Sequence, residues 1–126
     1  MEKIKLNLGC GEDIKQGFVN VDILEHPKIK KANLNNKKLP FKENYADYIF
    51  ISHLIEYLDD PWNFMEEVHR ISKNDTIIDL IADHYSFGLS YAELRHKRPG
   101  FSYFTFGTDI WNSDLNKNFQ CISKKK

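Results

Sequence analysis

Apolar residues along this chain fall in short runs broken by polar, glycine-bearing or proline-bearing stretches. This spacing predicts β-strands alternating with little else until one long amphipathic segment appears. Strands are expected at residues 4–8, 18–23, 32–34, 48–52 and 76–81. The first ends at Gly9, and the fourth reads as a buried strand. Between the last two, Trp62, Met65, Val68 and Ile71 recur at helical spacing. Asp59-Asp60-Pro61 in front of them supplies an N-cap and a proline suited to the first turn. Lys73-Asn74-Asp75 is expected to close this helix in a turn. Strand, helix, strand in that order predicts a parallel pair joined by a right-handed crossover, and hence an α/β fold.

The last third changes character. Residues 85–106 combine many aromatics with glycine and proline and hold no sustained period. A long irregular segment in a compact domain is expected to serve as a lid or acceptor-binding segment. Residues 107–126 read as a tail of uncertain role, in which only residues 118–123 suggest one more strand. There is no internal repeat and no linker, so residues 1–126 read as one domain, with 1–84 as its ligand-binding core.

Composition narrows the classes. The 18 Lys and Arg balance 18 Asp and Glu, leaving no net field to draw the chain to nucleic acid or an acidic membrane. The two cysteines are far apart and belong to no metal-type pair, which suits a reducing compartment and implies no metal site. No stretch approaches the roughly 20 apolar residues of a membrane span, so a cytoplasmic protein without membrane insertion is expected.

Two features carry candidate chemistry. Gly9-Cys10-Gly11 after the first strand lets the backbone turn sharply and approach a ligand at the carboxyl edge of the sheet. Asp22 falls at the end of the second strand, where a carboxylate can accept hydrogen bonds from both hydroxyls of a ribose. A lone Gly-x-Gly is equally well an ordinary strand exit; two such features at successive strand ends predict a nucleoside-containing ligand. The dinucleotide fingerprint wants a third glycine where this chain has Ile14, and the connection is too short for a long helix, so a ligand without a pyrophosphate fits better.

The blocks "LNLGCG", "GFVNVDI", "LPFKENYADYIFISHLIEYL" and "FMEEVHRIS" together resemble the class I S-adenosylmethionine-dependent methyltransferases, in particular their small type 11 branch. The resemblance covers about residues 4–106, including "HKRPGFSYFTF", which is similar to a segment of some members with a glycan setting. It implies a Rossmann-like three-layer sandwich on a mostly parallel sheet, shortened at the C-terminus and lacking the last strands of the full fold. It further implies S-adenosyl-L-methionine as cofactor and a small-molecule or glycan hydroxyl as methyl acceptor. Gly9, Cys10 and Gly11 would line the methionine part, flanked by Asn7 and Leu8; Asp22, beside Ile23, would bind the ribose. Asn33 and Leu34 would lie near the adenine, and Ser52 and His53 beside the cofactor.

Some positions depart from the family's pattern. Asn33 stands where an acid is usual, Tyr57 where a histidine is usual, and the turn before the fifth strand has no glycine. The short end predicts an exposed strand edge, to be covered by a second copy or a partner subunit. A non-catalytic cofactor-binding or subunit-interaction protein is therefore the competing reading to an active methyltransferase. For proton transfer, His84 after the fifth strand and His96 in the lid segment are the candidate catalytic residues, with Tyr103 as a candidate acceptor-site residue. Surface or packing roles compete for each. His53 reads as structural or catalytic, and Cys10 as a small turn residue without an evident activating base.

Overall fold

The computed structural model describes residues 2–81. They form strands β1 (Lys5–Leu8), β2 (Val19–Asp22), β3 (Ile29–Lys31), β4 (Ala46–Ser52) and β5 (Ser72–Ile81). A 3-10 turn, Ile55–Tyr57, and helix α1 (Pro61–Ile71) lie between β4 and β5. The five strands make one sheet in the order β3-β2-β1-β4-β5, and every neighbouring pair runs parallel.

Helix α1 starts where its sequence signals lie. The Asp60 carboxylate accepts the Asn63 N–H at 3.0 Å, and Pro61 occupies the first turn, where a missing N–H leaves no bond unmade. Its apolar stripe, Phe64, Met65, Val68 and Ile71, packs on one face of the sheet against Leu6, Leu8, Val21, Ile49 and Ile51. Each such side chain contributes about 1.5–3 kcal/mol by leaving water. The helix ends as Ser72 turns extended and its hydroxyl donates to the Val68 carbonyl at 2.6 Å.

Two expectations shift in position. The third strand lies at Ile29–Lys31, not at residues 32–34. Its pairing with β2 runs out at Asp22 opposite Lys31; the Asn33 side chain then accepts the Asn35 N–H at 2.9 Å, a local turn, and Leu34 drops into the core. The expected turn at Lys73-Asn74-Asp75 sits inside β5 as an irregularity, because Ala46 pairs with Ser72 but Tyr48 with Ile77. Thr76 ties it down, accepting the Lys73 N–H at 2.7 Å and donating to the Ala46 carbonyl at 2.6 Å.

The connection from β3 to β4 reaches the core without a helix. Leu34 and Leu39 are buried from it. Glu67 of α1 accepts the Leu39 N–H at 2.8 Å, and Arg70 donates to the Leu39 carbonyl at 3.1 Å while also bonding Glu67. This pair meets the backbone needs of an irregular segment that approaches the core.

Candidate functional site

In a sheet of this order the chain leaves β1 in one direction through β2 and β3, and in the other through β4 and β5. Ligands of open parallel sheets sit at that switch point, outside the carboxyl ends of the strands. The glycine turn, Asp22 and Ser52-His53 all fall there, at the ends of β1, β2 and β4.

Gly9 and Gly11 have φ of 72° and 53°, the left-handed region that glycine adopts without penalty. Their surroundings differ. A Cβ on Gly9 would lie 2.8 Å from Leu54 Cδ1, so Leu54, just beyond β4, packs directly on the turn. A Cβ on Gly11 would meet nothing within 4 Å. The turn is thus held from the β4 side and open at its tip.

All three N–H groups of the turn point back into the protein. Gly9 and Cys10 donate to the Val21 carbonyl at 2.8 and 3.1 Å, and Gly11 donates to Asp22 Oδ2 at 2.9 Å. The other carboxylate oxygen, Oδ1, accepts from Ile23 N–H at 2.7 Å and from Leu24 N–H at 3.3 Å. Oδ2 accepts one of these backbone bonds and so keeps acceptor capacity for a ligand hydroxyl. Cys10 is buried, and burial, helped by the negative charge of Asp22, pushes its thiol above the ordinary value. It stays protonated at neutral pH and is a poor nucleophile.

Behind the turn lies a network that sequence reasoning did not pick out. Asn7 and Asn20 face each other across β1 and β2 on the side away from α1, both buried. Asn7 Nδ2 donates to Asn20 Oδ1 at 2.9 Å and to the Asp13 carbonyl at 2.8 Å. Asn20 also accepts the Lys15 N–H at 2.9 Å and donates to the carbonyls of Lys15 and Phe18 at 3.0 and 3.3 Å. The two amides fasten the helix-free connection between β1 and β2 to the sheet. The visible signal was an asparagine between two apolar residues in each strand, Leu6-Asn7-Leu8 and Val19-Asn20-Val21.

At the end of β4, His53 has φ of 52°, uncommon for a side-chain-bearing residue, and its N–H donates to the Ile81 carbonyl at 2.8 Å. Its Nδ1 lies 3.7 Å from Oε2 of Glu56, whose side chain is fully buried.

Of the residues expected at the site, Gly9, Cys10, Gly11 and Asp22 are joined directly by hydrogen bonds or sequence, and Ser52 and His53 stand at the neighbouring strand end. Leu8 is in the core and Asn7 in the network behind the turn. Ile23 is exposed beside Asp22, and Leu24 with it. Asn33 is exposed beyond β3, whereas Leu34 is turned into the core. His84, His96, Tyr103, the lid segment and the tail lie outside the described residues. Among the described residues no cluster of His, Cys, Asp or Glu could hold a metal ion, and no helix is long and apolar enough to cross a membrane.

The parallel sheet and its strand order define a Rossmann-like α/β domain, with the glycine turn facing an acid at the carboxyl edge of the sheet. The chain belongs to the methyltransferase domain family, the type 11 branch of the class I methyltransferases, with residues 6–78 matching that domain. Members of this family generally use S-adenosylmethionine. An uncharacterized protein of Methanocaldococcus jannaschii, MJ1123, is 32% identical over 93 residues, 72% of this chain and 44% of that protein. The YcgJ protein of Bacillus subtilis has the same fold, with a TM-score of 0.50 and 19% identity over 67% of this chain and 45% of its own. A chain from the complex between the Haloferax volcanii Trm112 methyltransferase activator and a methyltransferase gives a TM-score of 0.45 and 17% identity, covering 57% of this chain and 41% of that one. This chain therefore spans less than half the length of each of these three proteins.

Proposed function

We propose that this domain binds S-adenosylmethionine over the carboxyl ends of β1, β2 and β4 and transfers its methyl group to a hydroxyl of a small-molecule or glycan acceptor. The observation that carries the reading is the inward direction of the Gly9, Cys10 and Gly11 N–H groups. A phosphate cradle needs such groups aimed outward. Here they brace β1 against β2, and the open face at Gly11 offers shape rather than positive charge. That suits a cofactor with an amino-acid end and a ribose but no pyrophosphate.

Gly9, Cys10 and Gly11 would hold the methionine part, Asp22 the ribose hydroxyls, and exposed Ile23 would flank the adenine end together with Asn33. When bound, the cofactor supplies a methyl group on a positively charged sulfur, ready for in-line displacement. The chain contributes placement: a turn braced by Leu54 and Asp22 keeps donor and acceptor in line, and fixed alignment lowers the barrier. A cytoplasmic setting accords with the free thiol of Cys10.

One observation favours a second reading, a cofactor-binding or subunit-interaction protein without turnover. β5 pairs on one side only among the described residues, and Ile77 and Ile81 on it are 53% and 41% exposed. A second copy or a partner subunit would cover that edge. Calorimetric titration with S-adenosylmethionine, S-adenosylhomocysteine and NAD tests the first reading, with micromolar binding of the first two and none of NAD expected. Tight NAD binding, or no binding of either sulfur compound, would overturn it. A solution mass above that of the 14.9 kDa chain would support a covered edge.

A further inference from the structure

We infer that His53 is the proton acceptor of this site and that Glu56 is its positioning residue. The inference rests on the methyl-transfer reading above and adds to it which side chain handles the acceptor's proton.

The geometry begins in the backbone. His53 holds a left-handed conformation that the surrounding structure must enforce, and such strain collects where a side chain has to be aimed. It is enforced from two sides. The His53 N–H is tied to the Ile81 carbonyl at the end of β5, and the next residue, Leu54, packs on Gly9. The ring is therefore carried at the same sheet edge as the glycine turn, and its side chain is 55% exposed, within reach of an incoming molecule.

Glu56 supplies the second half. It lies one 3-10 turn on, its side chain is fully buried, and its Oε2 is 3.7 Å from Nδ1 of His53. This is an ion-pair distance. Catalytic hydrogen bonds often stand this long before ligand binds and shorten in the complex. A carboxylate facing Nδ1 favours the ring form with its hydrogen on Nδ1 and leaves Nε2 as the basic nitrogen.

The step balances. The acceptor's O–H bond breaks and its proton moves to Nε2, while the oxygen's electron pair forms the new C–O bond. The pair of the broken S–C bond stays on sulfur, which becomes a neutral thioether, and His53 later returns the proton to water.

The test uses the full chain with 15N-labelled histidine, at a pH where the rings are neutral. In His26 the Nδ1 atom accepts the Lys28 N–H at 3.0 Å, so this ring must carry its hydrogen on Nε2 and serves as an internal reference. His53 is expected to show the opposite form. Glu56→Met, which removes the acceptor at similar volume, should shift His53 toward the His26 pattern, and Glu56→Gln, which keeps an acceptor oxygen, should restore the wild-type pattern. The wild-type spectrum decides the matter even if Glu56→Met does not fold: a hydrogen on Nε2 of His53 overturns the inference. Separately, S-adenosylhomocysteine at about ten times its Kd should slow modification of His53 by diethyl pyrocarbonate about tenfold, leaving His26 unaffected. Calorimetric binding without this protection overturns the placement of His53. Absence of calorimetric binding overturns the methyl-transfer reading instead, and the tautomer result then stands apart from it.

Discussion

The Asp22 carboxylate holds the Gly11 N–H at 2.9 Å, across eleven residues of sequence. The acid expected to meet a ribose is therefore also a brace for the glycine turn, and the two duties share one side chain. Asp22→Ala should weaken S-adenosylhomocysteine binding by about 1–3 kcal/mol, roughly 5- to 150-fold in Kd, and should also loosen the turn. Calorimetry reads the first effect and amide hydrogen exchange at Gly11 the second. Unchanged affinity would remove Asp22 from the ligand site and leave it the structural duty alone.

Gly9 and Gly11 share a backbone conformation but not a neighbourhood, so one substitution separates strain from crowding. Gly11→Ala should lower stability by about 1–2 kcal/mol, the penalty of a left-handed alanine. Gly9→Ala should lower it further, because the new methyl group would lie 2.8 Å from Leu54. Urea midpoints of the two variants check the order; equal losses would mean that Leu54 moves aside freely.

Asn20 joins β1, β2 and the connection between them through four side-chain hydrogen bonds. Asn20→Leu is close in size but leaves the Asn7 amide, the Lys15 N–H and two carbonyls without this partner. Destabilisation by about 1–3 kcal/mol or more is expected, with faster exchange of the Lys15 amide. Asn7→Leu combined with Asn20→Leu should lose less than the sum of the single changes, since the two amides partner each other.

Glu67 gives the fold an acid limb. The hydrogen bonds from Arg70 hold its carboxyl below the usual glutamate value, with the Leu39 N–H helping and burial opposing. A carboxylate depressed on folding stabilises the protein above its unfolded value of about 4.3, and that stability is lost as pH falls through the lower folded value. Glu67→Gln should thus be less stable at pH 7 by about 1 kcal/mol or more and should flatten the decline between pH 5 and 3. Asp47, lowered by the Ile4 N–H and Lys73, adds to the same limb, so the decline should shrink without vanishing.

Much of the fold was legible because its signals are local. A proline after an aspartate starts α1, a glycine ends β1, and four of the five strands fall where their apolar runs predicted. The third did not, since Ala32-Asn33-Leu34 looks like a strand to its neighbours in sequence while the pairing edge of β2 had already ended at Asp22. The turn expected at residues 73–75 was absorbed into β5 because its partner, Ala46, lies on another strand.

The candidate site divides along the same line. Gly9, Gly11 and Asp22 could be read from the chain because glycine at a strand exit and an acid at the next strand exit are each short-range features. That Leu54 closes on Gly9, that Asp22 reaches back to Gly11, and that Asn7 meets Asn20 could not, for these contacts exist only once β1 lies between β2 and β4 in one register. Parallel strands pair segments far apart in sequence, and shifting a strand by one residue would send each of these side chains to the opposite face.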